Sequence, residues 1–261
     1  MKQTILTTKQ GELLESLIAS YGHIVTSEQI YEKASGSWTQ KQAKNTITKL
    51  TNNGWLMRLK RGLYAISDLS NRGFLSLSPH VVANLLVENS YVSFESALNY
   101  HGLFDQLINK VISVTTVEFR NTIELNSTEY SFVKVQEKWF FGWEIATIDN
   151  KEVRIATAEK ALIDMVQFHK SKYSVDLLIE KLRDNEDSLN MDKLQEYLEK
   201  MSATTVKIFG FVFDLLGIDS VKLQEMLKNK QGTDWMLADD KKFNAKWRLY
   251  YDEYFDKYQK S

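Results

Sequence analysis

Seven lysines or arginines and no acidic residue lie between Lys33 and Ser67, a one-sided charge that suits a polyanion. Thr39, Gln40, Lys41, Lys44, Asn45, Thr48, Lys49 and Asn52 fall in one segment of this stretch, and Arg58, Lys60 and Arg61 in the next. Lysine and arginine donate to phosphate oxygens, whereas the amide of asparagine matches the edge of adenine and threonine serves more than one base. These residues are the candidates for contact with double-stranded DNA.

Catalytic chemistry has weaker candidates. His23, His80, His101 and His169 are far apart, no cysteine is present, and no pair of carboxylates has metal-ligand spacing. Glu159, Lys160 and Asp164 stand at helical spacing, and Glu95 has a similar setting. Both groups are read as stabilising helices or fixing domain contacts. His101 is read as a helix-end or hydrogen-bonding residue, and the pair Asp239 and Asp240 as a loop or helix start. A nucleotidyltransferase needs a Gly-Ser followed closely by paired acids for magnesium, but Gly36 and Ser37 are followed by no acid before Asp68. No catalytic residue, metal or cofactor is expected, and the chain is not read as an enzyme.

The basic residues need elements to present them. Leu13, Leu14, Leu17 and Ile18 share a helical face over Lys9 to Ser20, with Gly22 as terminator. Thr26 with Gln29 opens a second helix, and Ser37 with Gln40 is expected to open a third that runs to about Asn53. On that third helix Ala43, Ile47 and Leu50 share one face, and the candidate DNA-binding residues lie opposite. Two apolar runs around Lys60, Arg61 and Gly62 then predict a hairpin whose tip meets sugar-phosphate backbone. Trp38, Trp55 and Tyr64 are read as core. Three helices and a hairpin in this order form a winged helix-turn-helix.

Beyond it the periodicity is mixed. Tyr91 to Ser93, Val111 to Val117, Ile123 to Leu125, Tyr130 to Val135 and Glu144 to Ile148 are strand candidates, with helices at Glu95 to Tyr100 and, capped by Thr157, at Ala158 to Phe168. After Tyr173 the pattern is helical: Val175 to Leu182, Met191 to Met201, Thr205 to Leu216, Ser220 to Asn229 and Asn244 to Tyr258. The expected fold class is α+β: a winged helix-turn-helix over residues 1–70, then a larger mixed α/β domain over 71–261 with a helical C-terminal part.

With 261 residues, 43% of them hydrophobic, the chain can bury two cores. Residues 1–67 hold nine Lys or Arg against four Glu, so they carry +5; as the whole chain carries −1, the remainder carries −6. No run of apolar residues is long enough for a membrane span or a signal peptide, and a cytoplasmic location is expected.

Three stretches, NGWLMRLKRGLYAI (Asn53 to Ile66), YVSFESALNYHGL (Tyr91 to Leu103) and RIATAEKALIDMV (Arg154 to Val166), resemble the AbiEi-type antitoxins of bacterial abortive-infection (type IV) toxin-antitoxin systems, a class of phage defence. The resemblance implies a winged helix before a C-terminal antitoxin domain, autorepression through inverted repeats in the protein's own promoter, and counteraction of a nucleotidyltransferase toxin without a stable complex. It leaves the last 80 or so residues without a motif. Two other readings stand beside this one. A winged-helix regulator could use the mixed middle region to sense a small ligand, or the basic unit could serve protein interaction in a scaffold.

Overall fold

The computed structural model describes residues 5–67, 77–119, 122–185, 188–230 and 232–259. The expected domain boundary at 70/71 lies outside them.

The first unit is α1 (Thr8–Tyr21), β1 (Ile24–Thr26), α2 (Ser27–Ala34), α3 (Gln40–Asn52), β2 (Leu56–Lys60) and β3 (Leu63–Ile66). Each helix opens on a reciprocal capping box: Thr7 with Gln10, Thr26 with Gln29, and Thr39 with Gln42. The third box corrects the expectation that Ser37 opens α3. The backbone N–H groups of Ser37 and Trp38 both donate to Ala34 O, so Ser37 belongs to the turn that ends α2. Gly22 and Gly54 take positive φ after α1 and α3. Strand β1, absent from the sequence-based expectation, pairs antiparallel with β3, which pairs with β2. Leu14, Leu17, Val25, Ile30, Leu50, Leu56 and Ile66 fill the core between helices and sheet.

The second unit is built on a six-stranded mixed sheet. Its strands are β4 (Ser90–Val92), β5 (Lys110–Thr115), β6 (Ile123–Leu125), β7 (Thr128–Lys134), β8 (Trp143–Ile148) and β9 (Lys151–Ala156), in the order β6-β7-β5-β4-β9-β8. Asn126 and Ser127 join β6 to β7, and Asp149 and Asn150 join β8 to β9; all four take positive φ. These are two-residue turns of the kind that follow strand twist. Helices α4 (Pro79–Leu86), α5 (Phe94–Tyr100) and α6 (Ala158–Phe168) pack on the sheet. Helix α6 is buried from Ala158 to Val166, and α7 (Lys172–Asp184), α8 (Met191–Glu199) and α9 (Ala203–Leu216) gather round it.

The C-terminal region departs from expectation. Helix α10 is short (Val221–Met226), and a small sheet of β10 (Asp234–Trp235), β11 (Lys242–Asn244) and β12 (Leu249–Tyr251) follows. Asn244 to Tyr258, expected to be one helix, contains the turn into β12, β12 itself and a 3-10 stretch at Glu253–Tyr258. Trp247, Tyr250, Tyr251, Tyr254, Phe255 and Tyr258 have helical spacing, but packing overrides it: Leu249 and Tyr251 are buried, and the Tyr251 ring lies 4.5 Å from that of Phe211 on α9.

The β2–β3 hairpin serves both cores. Leu56 and Ile66 join the first, whereas Leu59 and Ala65 join the second with Val81, Val82 and Tyr91. An irregularity in the pairing between Arg58 and Lys60 accompanies this change of side.

Candidate nucleic-acid interface

Helix α3 buries Ala43, Thr46, Ile47 and Leu50. Gln40, Lys41, Lys44, Asn45, Thr48, Lys49 and Asn52 are all exposed, as is the cap residue Thr39. The structure therefore brings the helical candidates onto one solvent-facing surface. Two hydroxyls on it are partly committed. Thr39 Oγ1 accepts from Gln42 N in the capping box, and Thr48 Oγ1 donates to Lys44 O at 3.1 Å. With its proton so used, the Thr48 hydroxyl is left to act as an acceptor, with its methyl group beside it.

The hairpin candidates separate. Arg58 and Arg61 are exposed. Lys60 instead forms an ion pair with Glu88 of the second unit, Nζ to Oε1 3.0 Å. This partner lies 28 residues away, and no local spacing could have announced it. Gly62, at φ 78°, allows the two-residue turn, and its carbonyl accepts from Ser27 N at 2.8 Å. Ser67 N donates to Trp55 O at the other end of the hairpin. The hairpin is thus short and pinned at both ends, with Arg61 at its tip. Trp38, Trp55 and Tyr64 pack on the first core, as expected.

The two other motif stretches meet inside the second unit. The Lys160 ammonium and the Asp164 carboxylate form an ion pair, with both side chains fully buried. Tyr91 OH and Ser93 Oγ donate to Asp164 Oδ2 at 3.0 and 2.8 Å, and Lys160 Nζ donates to Tyr91 OH at 2.9 Å. Burial pushes the Asp164 carboxyl up from its ordinary value and the Lys160 ammonium down, against the attraction of each for the other. Burial, reinforced by the Asp164 charge, also holds the Tyr91 phenol well above its usual range. With no exposed atom to meet a substrate, this network ties β4 to α6. Glu159 has a related role: its Oε1 accepts from Asn190 N at 2.9 Å, at the cap of α8. His101 ends α5 and bonds Ala156 O through Nε2 at 2.8 Å. Asp240 lies in a loop and accepts from Leu237 N.

Among the described residues no group of His, Asp and Glu is placed to hold a metal ion, and no helix is long and apolar enough to cross a membrane. In the second unit a depression of about 300 Å³ lies between α4 and the β8–β9 hairpin. A larger cleft of about 590 Å³ lies near the C-terminus, outside the mixed region expected to hold one.

No protein-family model and no curated protein matches the chain. Among solved structures, the crystal structure of the RV2827C protein from Mycobacterium tuberculosis is similar, with a TM-score of 0.69 over 95% of this chain and 92% of that one. At 12% sequence identity the likeness is one of fold.

Proposed function

We propose that this protein is a sequence-specific DNA-binding regulator in which α1 to α3 and the β2–β3 hairpin act as a winged helix-turn-helix. The observation that carries the reading is the exposed, acid-free face of α3, where Lys41, Lys44 and Lys49 surround Asn45, Thr48 and Asn52. In this reading α3 enters the major groove, Asn45 and Thr48 meet base edges, and the lysines with Arg58 and Arg61 hold phosphates. The resemblance to AbiEi-type antitoxins extends the proposal to the biological role. The regulator represses its own promoter through inverted repeats, and its second unit counteracts a neighbouring nucleotidyltransferase toxin in the cytoplasm, without a stable complex.

Footprinting on the DNA upstream of its own gene tests the DNA-binding part, with protection of an inverted repeat as the expected result. Gel-shift affinity should fall with salt at a log-log slope of roughly −4 to −5, because about five phosphates meet a cation. A slope near zero overturns the reading. The antitoxin part is tested by rescue of cells expressing the adjacent toxin. A second reading, a regulator that senses a small ligand, is favoured by the cleft of about 590 Å³. It requires a compound that both raises the melting temperature and changes operator affinity.

A further inference from the structure

An open β-sheet ends in two edge strands, and each presents a row of unpaired N–H and C=O groups to whatever lies beside it. Among the described residues three sheets give six such edges. Five carry features that discourage further pairing. Strands β1, β6, β10 and β11 have no more than three residues each, and β2 has an irregular register at Arg58 and a lysine at its end. Strand β8 differs. It has six residues, Trp143–Ile148, pairs with β9 without a break in register, and contains neither proline nor a basic residue. Among the described residues no strand flanks it on its other side, and Ile145 near its middle is 59% exposed.

The hairpin fixes which backbone groups of β8 are free. Asp149 and Asn150 make a two-residue turn, so Ile148 and Lys151 exchange hydrogen bonds, as do Ala146 with Val153 and Glu144 with Ile155. Gly142 O, which accepts from Thr157 N at 3.0 Å, continues the alternation. The N–H and C=O groups of Trp143, Ile145 and Thr147 therefore point away from β9. Two copies of this edge can meet antiparallel about a two-fold axis. Only an axis at Ile145 gives all of these residues a partner: Ile145 meets Ile145 of the second copy, and Trp143 meets Thr147 of the second copy. Each such pair exchanges two main-chain hydrogen bonds, so no outward group of the strand is left over.

The side chains fit the same register. The exposed Ile145 is covered by its own copy. On that face the Arg154 guanidinium lies over the Trp143 ring, 4.8 Å from its centre, and has no carboxylate partner among the described residues. Glu152 is exposed, without a cation among the described residues, and stands beside Thr147 in the hairpin. As Trp143 meets Thr147 of the second copy, Arg154 faces Glu152 of the second copy across one strand, and the two-fold repeats the pairing. The opposite face holds one adverse pair: Glu144 meets Ala146 but lies diagonal to Glu144 of the second copy, about 7 to 8 Å away. A foreign strand has use for the backbone groups; a second copy uses the backbone, the isoleucine and both charges together. We propose that β8 is the edge through which this protein associates with itself, joining two copies in a two-fold dimer with one sheet continuous across Ile145. Strands this short bury less than the ~1,200 Å² of stable interfaces, so monomer and dimer exchange. The inference does not depend on DNA binding by α3, and its test contains no nucleic acid.

Sedimentation equilibrium of the full chain, at concentrations up to about 200 µM, should show a monomer–dimer equilibrium. Ile145→Lys sets two cations against each other on the axis and should raise the dissociation constant roughly tenfold or more. Its melting temperature in dilute solution should match the parent's, because this side chain is mostly in water. Glu144→Gln removes the diagonal repulsion and should tighten the dimer several-fold at low salt. The chain has no cysteine, so Ile145→Cys supplies a separate readout: a short bis-maleimide should link it into dimers and leave Glu124→Cys, on the opposite edge strand β6, largely unlinked. A parent chain that stays monomeric throughout overturns the proposal. So does a dimer that Ile145→Lys leaves unchanged, or equal cross-linking of the Ile145 and Glu124 variants, since either places the contact elsewhere.

Discussion

Asp164 accepts three hydrogen bonds in a place water does not reach, and it neutralises a cation that is equally buried. Asp164→Asn leaves the Lys160 ammonium without its counter-charge, so urea denaturation should show a loss of about 3 to 5 kcal/mol. A loss below about 1 kcal/mol would mean that the network contributes little to holding α6 on the sheet. The spacing of Lys160 and Asp164 was visible in the sequence, and a structural role for it was the right expectation. Tyr91 and Ser93 were not recognisable as its partners, because a contact across some seventy residues leaves no periodic trace. Lys60 teaches the same point from the other side: its charge was legible, its engagement with Glu88 was not. Lys60→Ala should therefore weaken DNA binding less than Arg61→Ala does in parallel gel shifts. His80 adds a pH dependence. Burial holds its imidazole below the ordinary 6.5, against the raising effect of the Ser96 carbonyl. Its contribution to stability is full above that ordinary value and is lost as pH falls through the depressed one. Urea midpoints should drop from about pH 7 to about pH 5, and His80→Gln should reduce the drop; His169, lowered for the same reason, accounts for part of what remains.

The elements most legible in the sequence are those stopped and started by their own side chains. Thr26 with Gln29, Gly22 and the apolar face of α3 each reported a local interaction, and each is present. Strand β9 is outside the sequence-based expectation although Asp149 and Asn150, a pair suited to a tight hairpin turn, stand directly before it. Glu152 and Arg154 break the apolar run, because an outer hairpin that is wet on one side carries polar residues at alternate positions. The C-terminal aromatics failed for another reason: their spacing fits a helix, but α9 receives them as strand residues. Gly210 in the middle of α9 is the position in the sequence that marks this packing. A Cβ there would come within 2.2 Å of the Trp247 indole, which also donates to Asp214 at 2.7 Å. Gly210→Ala should gain helix propensity yet lower stability by about 1 to 3 kcal/mol through overpacking. A melting temperature at or above that of the parent would show that the indole moves aside freely. At the candidate interface, Asn45→Ala should weaken specific binding by roughly 1 to 3 kcal/mol and leave affinity for random DNA nearly unchanged. Equal losses on both would move Asn45 to the phosphate-binding set.

At the scale of the whole molecule, charge separates residues 1–67, at +5, from the remainder, at −6, but the packing does not follow that line. Leu59 and Ala65 belong to the core of the second unit while their neighbours Leu56 and Ile66 belong to the first. Removing residues 1–70 would strip apolar cover from the remaining core, so such a truncation should bind hydrophobic dyes and aggregate. Replacing Lys44, Lys49 and Arg61 by Ala touches no core, and this variant should melt like the parent, lose operator binding and still rescue cells from the toxin. If it stays folded but rescue disappears with DNA binding, neutralisation depends on the first unit.

Because the hairpin is gripped from both sides, the unit proposed to meet DNA has a set attitude toward the rest of the chain. A swivelling tether would let a bound operator and the six-stranded sheet sample many mutual orientations. Here Arg61 sits at the tip of the same hairpin whose Leu59 is sealed beneath α4, and Lys60 clasps Glu88 just beyond that helix. On the proposed reading, whatever the second unit carries is presented to the promoter from one compass bearing, and its distance along the duplex is measured out by the protein itself.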